Sequence, residues 1–174
     1  PKWAKQPDKY TNLRRYVNHF NALAKWVAWT VVEPMMARDR AIMLTKWIAV
    51  ADFCRSIHNY SALGSILGGL LGTSVHRLKR TFASLSKATL ATFKELQQVM
   101  DPRGSYSTYR KLIAECTPSC IPFLGIILQD VTFISDGNPD SLGENKDDTI
   151  NLSKRRQIYN AVVPVLKFQP FGYR

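Results

Sequence analysis

An all-α fold is what this sequence predicts, on three observations. Almost every segment with a hydrophobic period has the helical one, no stretch shows the alternation of a half-buried strand, and the periodic segments are separated by short clusters of Gly, Pro and Asp. At 174 residues and 45% hydrophobic content, the chain is long enough to bury one sizeable core and too short for two ordinary domains. A single unit over residues 1–174 is therefore expected.

The elements follow in order. The opening stretch is expected to be helical. Tyr16, Val17, Phe20, Leu23, Ala24, Val27 and Val31 then form one apolar stripe, and Leu44, Ile48, Ala51 and Cys54 form another after a charged break placed at Arg38, Asp39 and Arg40. A third helix covers Ser61 to Leu71. It is crowded by Gly64, Gly68 and Gly69, with Gly72 just beyond, and a break is expected at Gly72, Thr73 and Ser74; each glycine costs up to about 1 kcal/mol relative to alanine, and close helix packing is the usual compensation. The stretch "GSILGGLLG" lacks the Lys-Ser/Thr of a phosphate-binding Walker loop and follows no strand. Leu85 to Met100 and Tyr106 to Cys116 give two further helices, the second placing Tyr106, Tyr109 and Arg110 on one face, where packing with a salt bridge is expected.

The stretch "PFLGIILQDVTFISDGNPD" begins as an apolar run and then turns acidic. Phe123, Ile126, Ile127, Val131 and Ile134 recur at helical spacing, Pro122 suits a first turn, and Gly137 with Pro139 supplies a stop. The first turns, apolar all round, are expected to be buried. The last turns carry Asp130 and Asp136 and must lie at an edge, because an unpaired carboxylate is costly to bury. A final helix spans Ser153 to Phe168. Its start, Asn151-Leu152-Ser153-Lys154-Arg155-Arg156, puts cations against the helix dipole and asks for acids from the loop between Asp136 and Asp148.

Charge is unevenly placed. Residues 1–115 hold 18 Lys+Arg against 7 Asp+Glu, and residues 116–174 hold 6 against 6, so the whole net charge of +11 lies in the first part. A solvated face, nucleic acid, an anionic membrane leaflet and an acidic protein are all compatible with such a surface. No stacking or groove-reading module is recognisable, so specific nucleic-acid binding is not expected. The longest apolar run, Cys120 to Leu128, falls well short of the roughly 18 residues of a membrane span, and the N-terminus lacks the pattern of a signal peptide; a soluble, internal protein is expected. Cys54, Cys116 and Cys120 have no zinc spacing and are expected to be reduced core thiols.

Bond-making chemistry leaves no trace. No nucleophile with its base, acid pair or metal cluster is visible, and His19, His58 and His76 lie in separate segments without a common partner. No metal or cofactor is expected. Asn59, in "HNYSAL", suits a C-terminal stop or an N-cap for the next helix.

Six motifs in one order then carry a resemblance: "HFNALAKWV", "KWIAVADFCRSIHNYSAL", "VHRLKRTF", "YSTYR", "CIPFLGIILQDVTFISDGNPD" and "INLSKRR". Together they resemble the catalytic domain of the Ras-type guanine-nucleotide exchange factors, the family of Son of sevenless. The family's opening helix is absent and the chain stops after "QPFGYR", where the family adds a further helix, so a domain truncated at both ends is expected. The resemblance implies an all-α bowl from which a helical hairpin, about residues 128–168 here, projects into the nucleotide site of a small GTPase. Its first helix would run from Leu128 to Asp136 and its second would begin near Asn151.

By the same resemblance, Thr132 and Asp136 point toward the magnesium and phosphate region of the GTPase, with Gln129 and Phe133 flanking them. Phe123 anchors the hairpin on the core, Tyr106 touches the switch region, and Asn59 and Lys154 brace the hairpin. Leu71 falls where some members place an asparagine facing the GTPase. Pro164 interrupts a segment that family members usually keep helix-compatible, and is expected to kink or shorten the second hairpin helix. The implied partner is a Ras, Rap or Ral type GTPase, with an anionic membrane surface as a possible second contact. The implied setting is cytoplasmic, with recruitment to membranes where the GTPase is anchored. No covalent step is implied. The rival implication is a domain of the same shape that has lost exchange and serves as a docking adaptor.

Overall fold

The protein is described by a computed structural model over residues 9–117, 119–142, 149–170 and 172. Among these residues there are nine helices and no strands: α1 (Thr11–Val32), α2 (Ala37–Ser56), α3 (Tyr60–Leu71), α4 (Thr73–His76), α5 (Lys79–Ala83), α6 (Lys87–Val99), α7 (Ser107–Glu115), α8 (Leu124–Gly137) and α9 (Leu152–Leu166). The all-α expectation is met. The opening stretch, read as helical, lies largely outside the described residues. No helix among the described residues is long and apolar enough to cross a membrane.

The apolar stripes read from the sequence build the core. Val27 and Val31 of α1 and Leu44, Ile48, Ala51 and Cys54 of α2 are all buried. Both helices pack against α3, which is the axis of the body: eight of its 12 residues are buried. Two of the crowded glycines explain how helices come so close. A Cβ on Gly69 would stand 2.5 Å from the Ala24 carbonyl oxygen of α1, and one on Gly64 would meet the Phe123 ring at 3.3 Å. Gly68 is under no such pressure, its nearest neighbour being the Ala24 methyl at 3.9 Å. The Gly69→Ala variant is therefore expected to lose about 1–3 kcal/mol by overpacking against backbone that cannot yield, read as a lower urea midpoint, whereas Gly68→Ala should lose nothing.

Three expectations are corrected. Arg38, Asp39 and Arg40 do not break the chain; they form the first turn of α2, where Asp39 complements the helix dipole. The turn falls instead over Glu33–Met36, where Pro34 cannot continue a helix, and the Arg40 guanidinium donates to the Pro34 carbonyl at 2.6 Å. Charged side chains are good helix formers, so charge density alone was a poor stop signal. The segment after Gly72 is not a simple break either, because two short helices, α4 and α5, occupy it. Finally, Pro122 precedes α8 rather than opening it, and of the apolar first turns only Ile126 is fully buried.

Burial also shifts acid–base behaviour. Desolvation raises the Cys54 thiol, pushes Cys120 up to about 12 with help from the adjoining Cys116, and raises Tyr60 to about 12 and Tyr109 further still. All three cysteines are free thiols. These groups stay protonated in the folded chain while ionising in the unfolded one, so the unfolded state binds fewer protons at high pH. Stability is expected to fall above about pH 8.5 and to fall faster beyond about pH 10, measured as urea midpoints along a pH series.

Candidate functional site

α8 starts where two tyrosines make it start. Phe123, its N-cap residue, is extended and offers no side-chain cap. The first backbone donors of a helix have no internal partner, and here the Phe123 N–H donates to the Tyr109 hydroxyl at 2.8 Å while the Leu124 N–H donates to the Tyr16 hydroxyl at 3.3 Å. The Phe123 ring stacks on Phe20, with centroids 5.2 Å apart. Residues from α1, α3 and α7 thus converge on the root of α8. The backbone pairing of Asn59 with Ile121 adds a fourth tie just before it.

Beyond this root, α8 packs chiefly against α9, and the two form an antiparallel hairpin. Ile127, Val131 and Ile134 are part-buried on one side of α8. On the other, Gln129, Thr132, Phe133 and Asp136 recur at i, i+3, i+4 and i+7 and share a face. Gln129, Phe133 and Asp136 are exposed, Phe133 to 66%. Thr132 is part-buried, and its hydroxyl donates to the Leu128 carbonyl at 2.7 Å, leaving its oxygen able to accept. The Asp136 carboxylate makes no ion pair or hydrogen bond with the described residues. A polar stripe with one exposed aromatic ring and one unpaired acid suits a surface that meets a partner.

The tip is fastened by the start of α9. Asn151 is buried; its side-chain oxygen accepts from the Lys154 N–H at 3.0 Å, its amide donates to the Pro139 carbonyl at 3.0 Å, and its own N–H donates to the Asp140 carbonyl at 3.0 Å. Lys154, only 3% exposed, donates to the carbonyls of Ser135 at 3.0 Å and Asn138 at 2.6 Å and pairs with Asp140 at 3.1 Å. A cation at the C-terminal end of α8 is where the helix dipole favours it. Arg155 reaches the same Asp140 carboxylate at 3.4 Å. The acid demanded by the cationic start of this helix is therefore Asp140.

The remaining candidates are scattered. Asn59 caps α3, accepting from the Ala62 N–H at 3.0 Å, and its tie toward the hairpin is the backbone pairing with Ile121, just before α8. Tyr106 is the N-cap of α7 in a left-handed conformation, φ 57°, and is part-buried against the core. Leu71, 41% exposed at the end of α3, lines a separate recess of about 380 Å³ with Lys94, Gln97 and Arg103. α9 runs through Pro164 and ends two residues later, at Leu166. Among the described residues no group of three or more His, Cys, Asp or Glu could hold a metal ion.

Sequence reasoning missed the two tyrosine hydroxyls that receive the start of α8, the role of Asn151, and the ion pair between Arg110 and Asp130. The tyrosine hydroxyls had no local signal, whereas Asn151 had one, being a residue type favoured at the N-cap directly before a helical segment. For the third, the sequence offered an arginine expecting a salt bridge and an acid expecting an edge, but nothing that joined them.

An all-α body carrying a helical hairpin fastened at its root and tip is the class of domain that these residues define. The chain belongs to the RasGEF domain family, whose model matches residues 1–156. It is similar to Ras guanine nucleotide exchange factor J of Dictyostelium discoideum, 37% identical over 163 residues, covering 93% of this chain and 20% of that protein. It is also similar to Ras-specific guanine nucleotide-releasing factor 2 of Mus musculus, 35% identical over 156 residues, covering 90% of the chain and 13% of that protein. For Ras-specific guanine nucleotide-releasing factor 1 of Homo sapiens the identity is 32% over 162 residues, with 93% and 12% coverage. The chain thus spans a fifth or less of the length of these curated relatives.

Proposed function

We propose that the chain acts as a guanine-nucleotide exchange factor for a Ras-subfamily GTPase, inserting the α8–α9 hairpin into the nucleotide site. One observation carries the reading: Gln129, Thr132, Phe133 and Asp136 share a face of the hairpin, with the Asp136 carboxylate exposed and unpaired among the described residues. A carboxylate brought to where phosphate sits repels that phosphate and competes for the cations that hold it. Phe133 offers an apolar contact that water otherwise covers, and the Thr132 oxygen is free to accept. Phe123 sets the root. Tyr106 contributes a contact beside α7, and Leu71 supplies an apolar rather than polar contact at its recess.

Only differential binding is needed. A nucleotide held at about picomolar affinity is bound by roughly 16 kcal/mol, and each 1.4 kcal/mol of weakening is about tenfold. No covalent step takes place. Because coupling between two ligands is reciprocal, nucleotide must loosen the exchange factor as much as the factor loosens nucleotide, so the stable intermediate is the factor on empty GTPase and GTP in excess dissolves it. The setting is the cytoplasm beside membranes that anchor the GTPase, where the basic first part of the chain favours an anionic surface.

Release of fluorescent GDP from a panel of purified Ras, Rap and Ral GTPases tests this. Accelerated release from at least one member supports it. Tight binding to a GTPase with no acceleration would instead identify a docking adaptor, a reading favoured by the apolar Leu71 and by Pro164 within α9.

A further inference from the structure

Beyond its root, the hairpin is joined to α7 by two polar clamps, one from α8 and one from the residue that follows α9. From the first turn of α7, the Arg110 guanidinium donates to both carboxylate oxygens of Asp130 on α8, at 2.9 and 2.8 Å, and its Nε donates to the Ser105 carbonyl at 2.8 Å. From just beyond α9, the Lys167 ammonium donates to carbonyls at and just past the end of α7, at 2.6 Å to Ile113, 3.1 Å to Ala114 and 3.2 Å to Cys116. The arginine is thus fixed at both ends, and the lysine sits where the dipole of α7 is negative.

Between the clamps the contact is incomplete. A cavity of about 190 Å³ separates the three helices, walled by Ile113 of α7, Ile126 and Ile127 of α8, and Ala161 and Pro164 of α9, with Arg110 at its lining. Close-packed helices resist tilting, whereas helices that face each other across a void have lost the dispersion contacts that would oppose it. Pro164 adds to this, since it cannot donate to the Asn160 carbonyl and leaves α9 weakest where it borders the cavity.

We infer that Arg110, Asp130 and Lys167 are positioning residues that set the angle of the hairpin on the body, α7 serving as the saddle. None of them lies on the stripe from Gln129 to Asp136, so they act through the presentation of that stripe. The inference rests on the proposed exchange activity for its consequence, but not for its geometry.

The test is a charge exchange read in two ways. Arg110→Asp and Asp130→Arg are made singly and together, with Lys167→Gln as an independent arm and Arg110→Lys and Asp130→Asn as milder variants should a reversal fail to fold. The first readout is the distance between spin labels at Leu152, near the tip, and Ser56 on α2, in a Cys116→Ser background. The second is GDP release. Each single reversal should shift or broaden the distance distribution and lower the maximal release rate about fivefold to tenfold while leaving the KM for the GTPase within about twofold, because the contacting face is intact. The double variant should return the distance distribution to that of the parent and the release rate to within about threefold of it. Single variants with an unchanged distance distribution, or a double variant no better than either single one, would overturn the inference. Should the parent accelerate release from no GTPase, the functional reading fails, and the distance measurements still decide whether the clamps set the angle.

Discussion

Replacing Asp136 with lysine is expected to reduce nucleotide release by about a hundredfold while leaving the helical content of the chain unchanged. The size follows from what the change does to the phosphate. A carboxylate at the inserted face repels it; an ammonium in the same place attracts it, and like-charge or opposite-charge contacts in an interface from which water is excluded are worth several kcal/mol. A net change of roughly 2.7 kcal/mol corresponds to the hundredfold expected. The fold should not notice, because Asp136 is exposed and unpaired among the described residues and lies in the last turn of α8, where a cation suits the helix dipole. Asp136→Asn, which removes the repulsion without adding attraction, should fall between the two. Reciprocity supplies a second check: with Asp136→Lys, added GDP should be less able to dissociate the complex with nucleotide-free GTPase, by the factor by which the variant weakens nucleotide affinity less than the parent does. A lysine variant that releases nucleotide as fast as the parent would remove the acid from the mechanism.

The fold was legible in the sequence wherever one helix could describe itself. Val27 and Val31, or Leu44, Ile48 and Ala51, fall at helical spacing and are buried as that spacing demands. Gly69 was legible as a cost seeking a reason, and the Ala24 carbonyl 2.5 Å from its missing Cβ is the reason. What was not legible depends on residues far apart in the chain. The hydroxyl of Tyr16 receives an N–H from a residue 108 positions away, and no local period encodes a bond of that kind. Lys154 illustrates the same limit from the other side: three cations opening a helix suggested nearby acids, but the near-complete burial of one of them follows from two carbonyls and an acid that converge only when the hairpin closes. The stripe from Gln129 to Asp136 is likewise ordinary as a pattern. The motif order singled it out, and the geometry gives it a face, an exposed ring and an acid without a partner among the described residues.

Truncating Phe123 to alanine is expected to cost about 3 kcal/mol of stability and a further loss of release rate in the molecules that remain folded. The stability figure is at the low end for a phenylalanine in a core, because part of this ring is exposed. The ring is held by its stack on Phe20 at 5.2 Å and by close approach to Gly64 and Gly125, which have no side chain to move into the space it leaves. A cavity would therefore persist where α1, α3 and α8 meet. Its consequence for function is positional: the Phe123 and Leu124 N–H groups meet the tyrosine hydroxyls only while the ring holds the chain in place, so the start of α8, and with it the direction of the whole hairpin, becomes loose. Phe123→Leu should recover most of the stability and part of the rate. The reverse perturbation, Gly125→Ala, should be as damaging as the truncation, since a Cβ there would collide with the Phe123 ring and push it off Phe20. Urea melts and GDP-release rates measured on the three variants separate the two effects: a Phe123→Ala protein that loses stability but, when fully folded, releases nucleotide at the parent rate would show that the root holds the fold without aiming the hairpin.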